Sequence, residues 1–293
     1  MVFHVGIAPL CGEMAIYNTT NLRTKIYDFR EVGINNGELI EGMYKRIKSI
    51  AKGELGYAGI CLGSSYGNEI RQKFIKHGLE CGFKKIEIID WETQMYLNAI
   101  SQSGYQPKNG DTICVLNGKL CHFWEKCNGK SEYRGSANGI FNDKTEIDKS
   151  DFIKDPNVII FEAEDENQSD TIEKIFPQCL AAFYENNESM GALIKARLMA
   201  NDNENALDFD FCPKLDRNLS VKVGERKIME FEASTLLPLK KSIKLKVEEN
   251  ESIFSVVFGY FNDRILDAIK LPINKEIDLS VEIDTNGIVF VKF

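Results

Sequence analysis

Hydrophobic and polar residues alternate along the last quarter of the chain in the pattern of antiparallel β-strands. Ile243 and Leu245 alternate with lysines, and a later run alternates apolar and polar positions from Ile277 to Ile283. Such period-two alternation is typical of strands that bury one face. Asp284 to Gly287 follows as a hairpin turn, since Asn-Gly readily takes the positive φ angles that tight turns need. The pattern predicts a β-sandwich over residues 217–293.

The N-terminal two thirds of the chain alternate strand and helix patterns, which indicates a layered α/β architecture. A first round predicts strands at Phe3–Ile7, Ala15–Tyr17, Ala58–Leu62 and Lys85–Ile89 and helices at Gly37–Ile50 and Glu69–Glu80. A second round predicts strands at Asp111–Leu116, Lys119–Trp124 and Val158–Phe161 and helices at Asp170–Tyr184 and Ser189–Ala200. The repetition predicts two similar halves, at about 1–105 and 106–205, and a linker at 206–216.

Composition and charge narrow the classes of function. The chain has 293 residues, 43% of them hydrophobic, which is enough for more than one packed domain. Its net charge of −8 and isoelectric point of about 5.2 give no basic surface for nucleic acid or an anionic membrane. No leader peptide or membrane-length apolar run is recognisable, so the sequence predicts a cytoplasmic protein without a membrane segment.

The sequence offers little support for a metal centre or a catalytic triad. Its eight cysteines include no Cys-x-x-Cys pair, and the grouping of Cys114, Cys121, His122 and Cys127 matches no common zinc spacing. Reduced and mostly buried thiols are expected. None of the three histidines stands in a recognisable nucleophile motif, so no catalytic residue is nominated and no metal is expected.

Motifs in the C-terminal region resemble the peptide-binding β-domain of the DnaK-type, seventy-kilodalton heat-shock chaperones. A strand start with Pro238, Lys240 and Ser242 matches the family's Pro-x-Lys-x-Ser. The segment from Ile283 to Ile288 matches the family's Ile-Asp-x-Asn-Gly-Ile hairpin, and the two motifs occur in the family's order. Together they make the heat-shock-70 resemblance specific over the last quarter of the chain.

The N-terminal region carries further motifs of the same family. Arg71-Gln72 and Ile88-Ile89-Asp90 lie within Ile60–Thr93, which keeps without a gap the spacing around the family's first interdomain helix. Met190-Gly191-Ala192 resembles the family's Tyr-Gly-Ala-Ala helix. The resemblance implies a reduced actin and ribonuclease-H-like, two-lobed nucleotide-binding-type domain, followed by a β-sandwich of the substrate-binding type. Because the chain ends after the last sandwich strand, no helical lid is expected.

Residues that the family uses to bind ATP are replaced in this chain. A phosphate site of this kind needs backbone amides in glycine-rich turns and carboxylates that hold magnesium. The replacements fall at Ala8 and Pro9 in the first phosphate loop, Asn117 and Gly118 in the second, and Trp91 at the family's catalytic-side Glu. An acid-rich stretch, Phe161 to Glu166, stands at the adenosine-contacting turn. The resemblance therefore implies that the chain is not an ATPase and needs no cofactor, while weak binding of ATP and magnesium stays open.

The linker and the peptide groove can be placed by the same resemblance. Leu207, Phe209 and Phe211 alternate with acidic residues like the family's hydrophobic interdomain linker, although an ordinary edge strand would have the same pattern. The family's groove positions fall on four apolar residues, Leu245, Phe254, Val256 and Ile277. A groove for an extended peptide needs such side chains, and a sandwich core needs them equally, so both interpretations stay open. The charged stretch Val223–Lys227 replaces the family's apolar first groove loop.

The resemblance implies a shortened member that acts by binding proteins rather than by hydrolysing ATP. The expected role is a nucleotide-independent scaffold or co-chaperone, similar in architecture to the atypical subunit of the ribosome-associated complex. Expected partners are a J-domain co-chaperone, the ribosome and extended polypeptides. An ATP-dependent folding chaperone and a structural remnant that serves another partner remain the alternatives.

Overall fold

The computed structural model describes residues 1–138, 155–163, 168–202, 209–248, 253–258 and 264–293. Within these residues the chain forms four β-sheets. The first elements are β1 (Val2–Ala8), β2 (Glu13–Asn18), β3 (Arg23–Asp28), α1 (Leu39–Ile50), β4 (Glu54–Cys61), α2 (Asn68–Cys81), β5 (Lys85–Ile89) and α3 (Trp91–Ser103). The next are β6 (Thr112–Asn117), β7 (Leu120–Cys127), β8 (Lys130–Asn138), β9 (Val158–Glu162), α4 (Gln168–Ile175), β10 (Leu180–Tyr184) and α5 (Met190–Met199).

The first sheet has the strand order β3-β2-β1-β4-β5. Strands β1 to β3 form an antiparallel meander, and β4 and β5 extend the sheet in parallel from the other side of β1. Parallel neighbours need a crossover connection, which α1 and α2 supply. The apolar sides of these helices, including Tyr44 and Phe74, pack with Ile7 and Ile60 of the sheet in one buried cluster.

The second sheet repeats this arrangement. Its order is β10-β9-β6-β7-β8, which is the order of the first sheet when β6 to β10 are numbered from one to five. The strand directions match as well, with a meander followed by two parallel strands. This duplicated arrangement is that of the actin and ribonuclease-H-like fold. The predicted actin-like fold is therefore confirmed, and the predicted division into halves at about residue 105 stays a prediction.

Two helices tie the halves together, because each packs on the sheet of the other half. Helix α3 follows β5 but contacts β6, β9 and β10, whereas α5 follows β10 but contacts β1, β2 and β4. The helices meet at Gly191, where an added Cβ would lie 1.9 Å from the carbonyl oxygen of Gln94. Gly59 of β4 is equally close to α5, since a Cβ there would lie 2.0 Å from the Ala192 carbonyl oxygen. Glycine at these positions lets the two backbones approach.

The C-terminal region forms two antiparallel sheets over one hydrophobic core. Its strands are β11 (Leu219–Val223), β12 (Arg226–Phe231), β13 (Leu239–Lys246), β14 (Ile253–Phe258), β15 (Arg264–Lys270), β16 (Glu276–Ile283) and β17 (Val289–Lys292). One sheet has the order β12-β11-β14-β15 and the other β13-β16-β17. Val221 and Phe254 of the first sheet share a buried cluster with Leu279 and Val281 of the second. In these strands the apolar residues of the alternating pattern face the core, and the polar residues between them face solvent.

The prediction of one helix over Asp170–Tyr184 is wrong. Helix α4 ends at Ile175, and the segment Leu180–Tyr184 is strand β10, parallel to β9. Pro177 explains the break, because its ring lacks an N–H and disfavours helical geometry in the residue before it. The sequence patterns also do not indicate β3, β8 or α3, which the structure contains.

All eight cysteines are free thiols, of which Cys61, Cys114 and Cys121 are buried. In the described part of the chain, no group of His, Cys, Asp and Glu side chains is arranged to hold a metal ion. None of the described helices is long and apolar enough to cross a membrane.

Candidate nucleotide cleft and interdomain junction

The turn between β1 and β2 lies where the heat-shock-70 resemblance places the first phosphate loop. Backbone hydrogen bonds close this turn. Ala8 is buried, and Pro9 contributes no N–H. The Pro9 carbonyl accepts hydrogen bonds from the amides of Gly12, at 3.3 Å, and Val32, at 2.9 Å. The Phe29 amide donates to the Gly12 carbonyl at 2.6 Å, so the segment before α1 covers this turn. Since the Gly12 amide is already bonded within the turn, the turn is a poor phosphate cradle.

The second phosphate-loop position is a tight hairpin between β6 and β7. Asn117 pairs directly with Leu120, which leaves only Gly118 and Lys119 in the turn. Gly118 has a φ of 55°, in the left-handed region that glycine adopts at no steric cost. A two-residue turn offers few free amides, so this hairpin lacks the wide glycine-rich loop that surrounds phosphates.

Carboxylates from both halves approach one another beside these turns. Glu13 begins β2, and its Oε1 accepts a hydrogen bond from the Ser189 amide at 2.8 Å. Glu162 ends β9 and accepts a bond from Asn186 at 3.3 Å. Burial, together with the charges of Glu13 and Glu162, raises the pKa of Glu188. This negative environment opposes a phosphate group that arrives without a cation, and the closed turns at Pro9 and Gly118 offer few amides to cradle one.

Trp91 lies at the first position of α3, where the family has its catalytic-side Glu. Asp90 caps this helix, since its Oδ1 accepts from the Thr93 amide at 2.8 Å and its Oδ2 from the Thr93 hydroxyl at 2.9 Å. The Trp91 ring stands edge-on to His122 of β7, with 5.6 Å between ring centroids. Burial first and then Lys214 lower the pKa of His122 to about 4, so its imidazole is neutral at physiological pH. Trp91 therefore serves packing between the halves.

The acid-rich stretch Phe161–Glu166 is described only as far as Ala163, and Leu207 of the linker also lies outside the described residues. The other two apolar linker residues, Phe209 and Phe211, lie within the described residues. Phe209 and Phe211 are buried in the cluster between the sheets and α3. The Ser131 amide donates to the Asp210 carbonyl at 2.8 Å, and the Cys212 amide donates to the Ser131 carbonyl at 3.0 Å.

These two backbone bonds place the linker beside β8 as a short parallel bridge. The Ser131 side chain also contacts the Tyr96 hydroxyl of α3 at 2.6 Å. The extended linker is therefore docked on the second half of the actin-like body.

Near the end of the linker, Lys214 is buried against two carboxylates. Its Nζ lies 3.6 Å from Asp90 Oδ1 and 3.5 Å from Glu92 Oε2, and it stands over the Tyr133 ring at 4.3 Å from the centroid. Burial and the Asp90 charge raise the pKa of Glu92 to about 7. Burial opposes ionisation of Asp90 as well, but Lys214 and hydrogen bonds from Glu92 and Thr93 lower its pKa. One ammonium group therefore serves two carboxyl groups, and Glu92 is the one that takes a proton.

A second buried ion pair joins α2 to Asp216, the last residue of the linker. Arg71 Nη2 lies 2.6 Å from Asp216 Oδ2, with 4% and 9% of the two side chains exposed. The remaining donors of Arg71 reach backbone carbonyls, including those of Tyr66 at 3.1 Å and Asn286 at 3.0 Å. Arg217 Nη2 also donates to the Tyr66 carbonyl, at 3.2 Å. A buried pair with its remaining donors satisfied fixes geometry more strongly than a surface pair.

The hairpin between β16 and β17 completes the junction. The Ile88 amide of β5 donates to Asn286 Oδ1 at 2.8 Å. Asn68 of α2 exchanges two hydrogen bonds with the Val289 backbone, one of 3.1 Å and one of 2.8 Å. Asp284 Oδ1 accepts from the Ile288 amide at 2.8 Å and so holds the turn in shape. The sandwich region is thus attached to the first half by several buried contacts besides the linker.

The four groove candidates lie in the core between the two C-terminal sheets. Leu245, Phe254 and Val256 are buried there, and Ile277 packs against the same cluster while partly exposed. Leu245 pairs directly with Ile277 across β13 and β16. Their burial favours the core interpretation, and a peptide groove at these positions stays a prediction.

Sequence reasoning singles out Arg71 and Asn286 as family motifs but does not place them in contact. It misses Lys214, Asp216 and Asn68, which supply most of the partners at the junction. The one available signal is the position of Lys214 and Asp216 on either side of buried Leu215, at the end of the linker. No local pattern could pair Arg71 with a residue 145 positions away.

No protein-family model matches the chain, and no curated protein matches it. Several solved structures are similar. The inorganic polyphosphate/ATP-glucomannokinase of Arthrobacter sp. strain KM is 11% identical over 69% of this chain and 100% of that chain, with a TM-score of 0.44. The Aquifex aeolicus member of the Ppx/GppA family is 11% identical over 68% and 98%, with a TM-score of 0.42. YeaZ from Pseudomonas aeruginosa is 7% identical over 72% and 99%, with a TM-score of 0.36. At identities and TM-scores this low, the likeness says nothing about activity.

Proposed function

We propose that this chain is a protein-binding scaffold of the heat-shock-70 type whose sandwich region is held permanently against the actin-like body. In this proposal it acts without ATP, as a co-chaperone or a holder of extended polypeptides. A J-domain protein and the ribosome are the partners that the family resemblance suggests. The proposal gives the actin-like body a structural role in place of a catalytic one.

The buried junction is the observation that carries this proposal. Arg71 and the Asn286 hairpin are separate heat-shock-70 motifs in the sequence, and here the Arg71 guanidinium donates to the Asn286 carbonyl at 3.0 Å. The Arg71–Asp216 pair and the docked linker are formed entirely by protein groups. In this proposal the closed turns at Pro9 and Gly118 hold no phosphate, and the junction needs no bound nucleotide.

The far end of the sandwich is the proposed client surface. Ile253 and Ile273 are 55% and 47% exposed there, beside the loop that replaces the family's first groove loop. Backbone bonds tie this end together, since the Gly224 amide donates to the Ile253 carbonyl and the Asn274 amide to the Val247 carbonyl, each at 2.8 Å. Exposed apolar side chains at this end are suited to unfolded polypeptides, which expose apolar segments.

An aggregation assay tests the proposal. A chemically unfolded reference protein is diluted into buffer with or without the purified chain, and light scattering is recorded with and without ATP and magnesium. We expect the chain to suppress scattering equally in both conditions. The double variant Ile253→Glu, Ile273→Glu should lose the suppression, whereas Ile26→Glu, an equally drastic change at a side chain 46% exposed on β3, should keep it.

Suppression that appears only with ATP would favour the ATP-dependent alternative. A chain that neither suppresses aggregation nor binds a J-domain protein in a pull-down would contradict the scaffold proposal. Circular dichroism of each variant confirms that the folded state is retained.

A further inference from the structure

Strand β10 differs from the other sheet edges in the described part of the chain because it carries no charged residue. Its sequence is Leu-Ala-Ala-Phe-Tyr, with Leu180 47% exposed and Phe183 66% exposed. The opposite edge of the same sheet, β8, begins with Lys130, and the linker pairs with it. The edge strand β3 of the first sheet contains Arg23, Lys25 and Asp28. Charged side chains are a common protection of edge strands against pairing with another chain, and β10 lacks this protection.

The outer side of β10 offers hydrogen-bonding groups at known positions. The Leu180 amide donates to the Asn157 carbonyl, and the Tyr184 carbonyl accepts from the Ala163 amide, so these residues face β9. In a parallel pair, bonding residues alternate with residues that point the other way. The backbone N–H and C=O groups of Ala181 and Phe183 therefore point away from the sheet.

We propose that β10 is a homodimer interface, in which the β10 strands of two copies pair antiparallel about a two-fold axis at Ala182. Such an isologous contact is the commonest way in which soluble proteins dimerise. In this register Ala181 of one copy and the partner's Phe183 form a hydrogen-bonded pair, and each such pair exchanges two N–H···O bonds. The pairing joins the second sheets of both copies into one continuous sheet.

The side chains fit this register in size. Phe183 of each copy stands beside Ala181 of the partner subunit on the α4 side of the sheet, where Ala181 already packs against the core. A large ring beside a small methyl group covers backbone without a clash. Ala182 meets the partner's Ala182 at the axis, where a non-hydrogen-bonded pair brings side chains closest together and a methyl group suits the space.

The self-complementary side chains of β10 argue for a second copy as the occupant of this edge, and the absence of charge on the strand permits it. Each chain carries a net charge of −8, so two copies repel each other at most relative orientations. The uncharged β10 strand is the edge at which they can approach without placing like charges opposite each other. The strand is also self-complementary, since its large and small residues exchange places under the two-fold operation.

Sedimentation equilibrium of the wild-type chain and two variants tests the proposal. We expect the wild type to associate with rising concentration towards twice the 33.2 kDa of one chain. Phe183→Glu should remain monomeric, because two added charges would face each other's strand. Ile26→Glu on the edge strand β3 should associate like the wild type. A wild type that stays monomeric at all concentrations, or equal association of F183E, would overturn the proposal.

A cross-link test reports the register directly. Two cysteines at a non-hydrogen-bonded antiparallel pair lie close enough for a disulfide. Ala182→Cys treated with oxidised glutathione should therefore migrate as a dimer without reductant, with the wild type as the background for its own cysteines. Ile26→Cys should not exceed that background. Association that F183E abolishes but that gives no A182C cross-link would overturn the register at Ala182.

Discussion

Glu92 and Asp90 share one buried ammonium group, and this decides which of them is ionised. Lys214 lies 3.6 Å from Asp90 and 3.5 Å from Glu92. Asp90 also caps α3 through Thr93, so ionisation is favoured at Asp90. Glu92 lies beside this negative charge and is partly buried, with 30% of its side chain exposed, and its pKa rises to about 7. The attachment of the end of the linker to α3, through Lys214, is therefore sensitive to pH near neutrality.

Replacing Glu92 with Gln should remove a pH-dependent part of the stability. The folded-state pKa of about 7 lies above the ordinary value of 4.5, so this contribution is complete below the ordinary value and is lost as pH rises through about 7. Urea unfolding at about pH 5.5 and about pH 8 should show that the wild type loses about 1 to 2 kcal/mol more than E92Q. His122, whose pKa is lowered, acts in the opposite direction in both proteins. Equal pH dependence of the two would contradict the assignment.

Breaking the Arg71–Asp216 pair should be costly, because it leaves the buried Asp216 carboxylate with Arg217 alone, at 3.3 Å, and removes the donor to the Tyr66 and Asn286 carbonyls. We expect Arg71→Met to lower the free energy of unfolding by about 3 kcal/mol or more. Lys45→Met, which breaks the exposed pair with Glu41, should cost at most about 0.5 kcal/mol. Both are measured by urea unfolding. A loss in R71M as small as that in K45M would mean that the junction adds little stability.

Single residues in the sequence indicate the altered turns at the phosphate-loop positions more directly than they indicate the junction. Pro9 lacks an amide in any structure, so its effect on a phosphate loop needs no tertiary information. Lys214 pairs with Asp90 and Glu92, and Asp216 pairs with Arg71, all far away in the chain. No neighbouring residue in the sequence indicates that these charged side chains are buried against opposite charges. The same limit applies to Leu245, whose apolar character suits a core or a groove.

At the scale of elements, the crossing of α3 and α5 determines how the halves are held together. Each helix packs on the sheet of the other half, so neither half is complete without the other. Gly191 in the first turn of α5 lets the backbones touch, because a Cβ would lie 1.9 Å from the Gln94 carbonyl oxygen. The atoms that a Cβ would meet belong to the Gln94 backbone, so no flexible side chain could move aside to make room.

Gly191→Ala should therefore destabilise the chain although alanine favours helices. Overpacking of this kind costs about 1 to 3 kcal/mol, and more where backbone must shift. Gly42→Ala in α1 is the matched substitution, since nothing lies within 4 Å of its Cβ position, and it should stabilise by up to about 1 kcal/mol. Thermal unfolding of both variants gives the comparison. A G191A variant as stable as the wild type would show that the helices can separate at little cost.

Elements with strong periodicity, such as α2 and β5, could be predicted within a residue or two. Strand β10 could not, because Leu-Ala-Ala-Phe-Tyr has neither strict alternation nor a charged face, and only its pairing with β9 makes it a strand. Helix α3 has only a weak helical pattern in the sequence. It packs on both the sheet and α5, so many of its residues are buried and its amphipathic pattern is weak.

The whole molecule combines a duplicated actin-like body with two C-terminal sheets that are fixed to its first half. The turns at which the actin fold of ATP-binding members holds phosphates are closed or short here. The junction uses a docked linker, a buried ion pair and a hairpin, all of them protein groups. In the proposed function, the linker, the ion pair and the hairpin hold the C-terminal sheets to the actin-like body without a bound nucleotide.

Calorimetric titration with ATP and magnesium, accompanied by thermal unfolding in the same buffer, tests this claim most directly. We expect no heat of binding and no change in the melting temperature. A ligand present at 1,000 times its dissociation constant would stabilise the folded state by about 4 kcal/mol, so even moderate binding would be visible. Saturable heat with a matching rise in the melting temperature would contradict the account and identify the actin-like body as a working nucleotide switch.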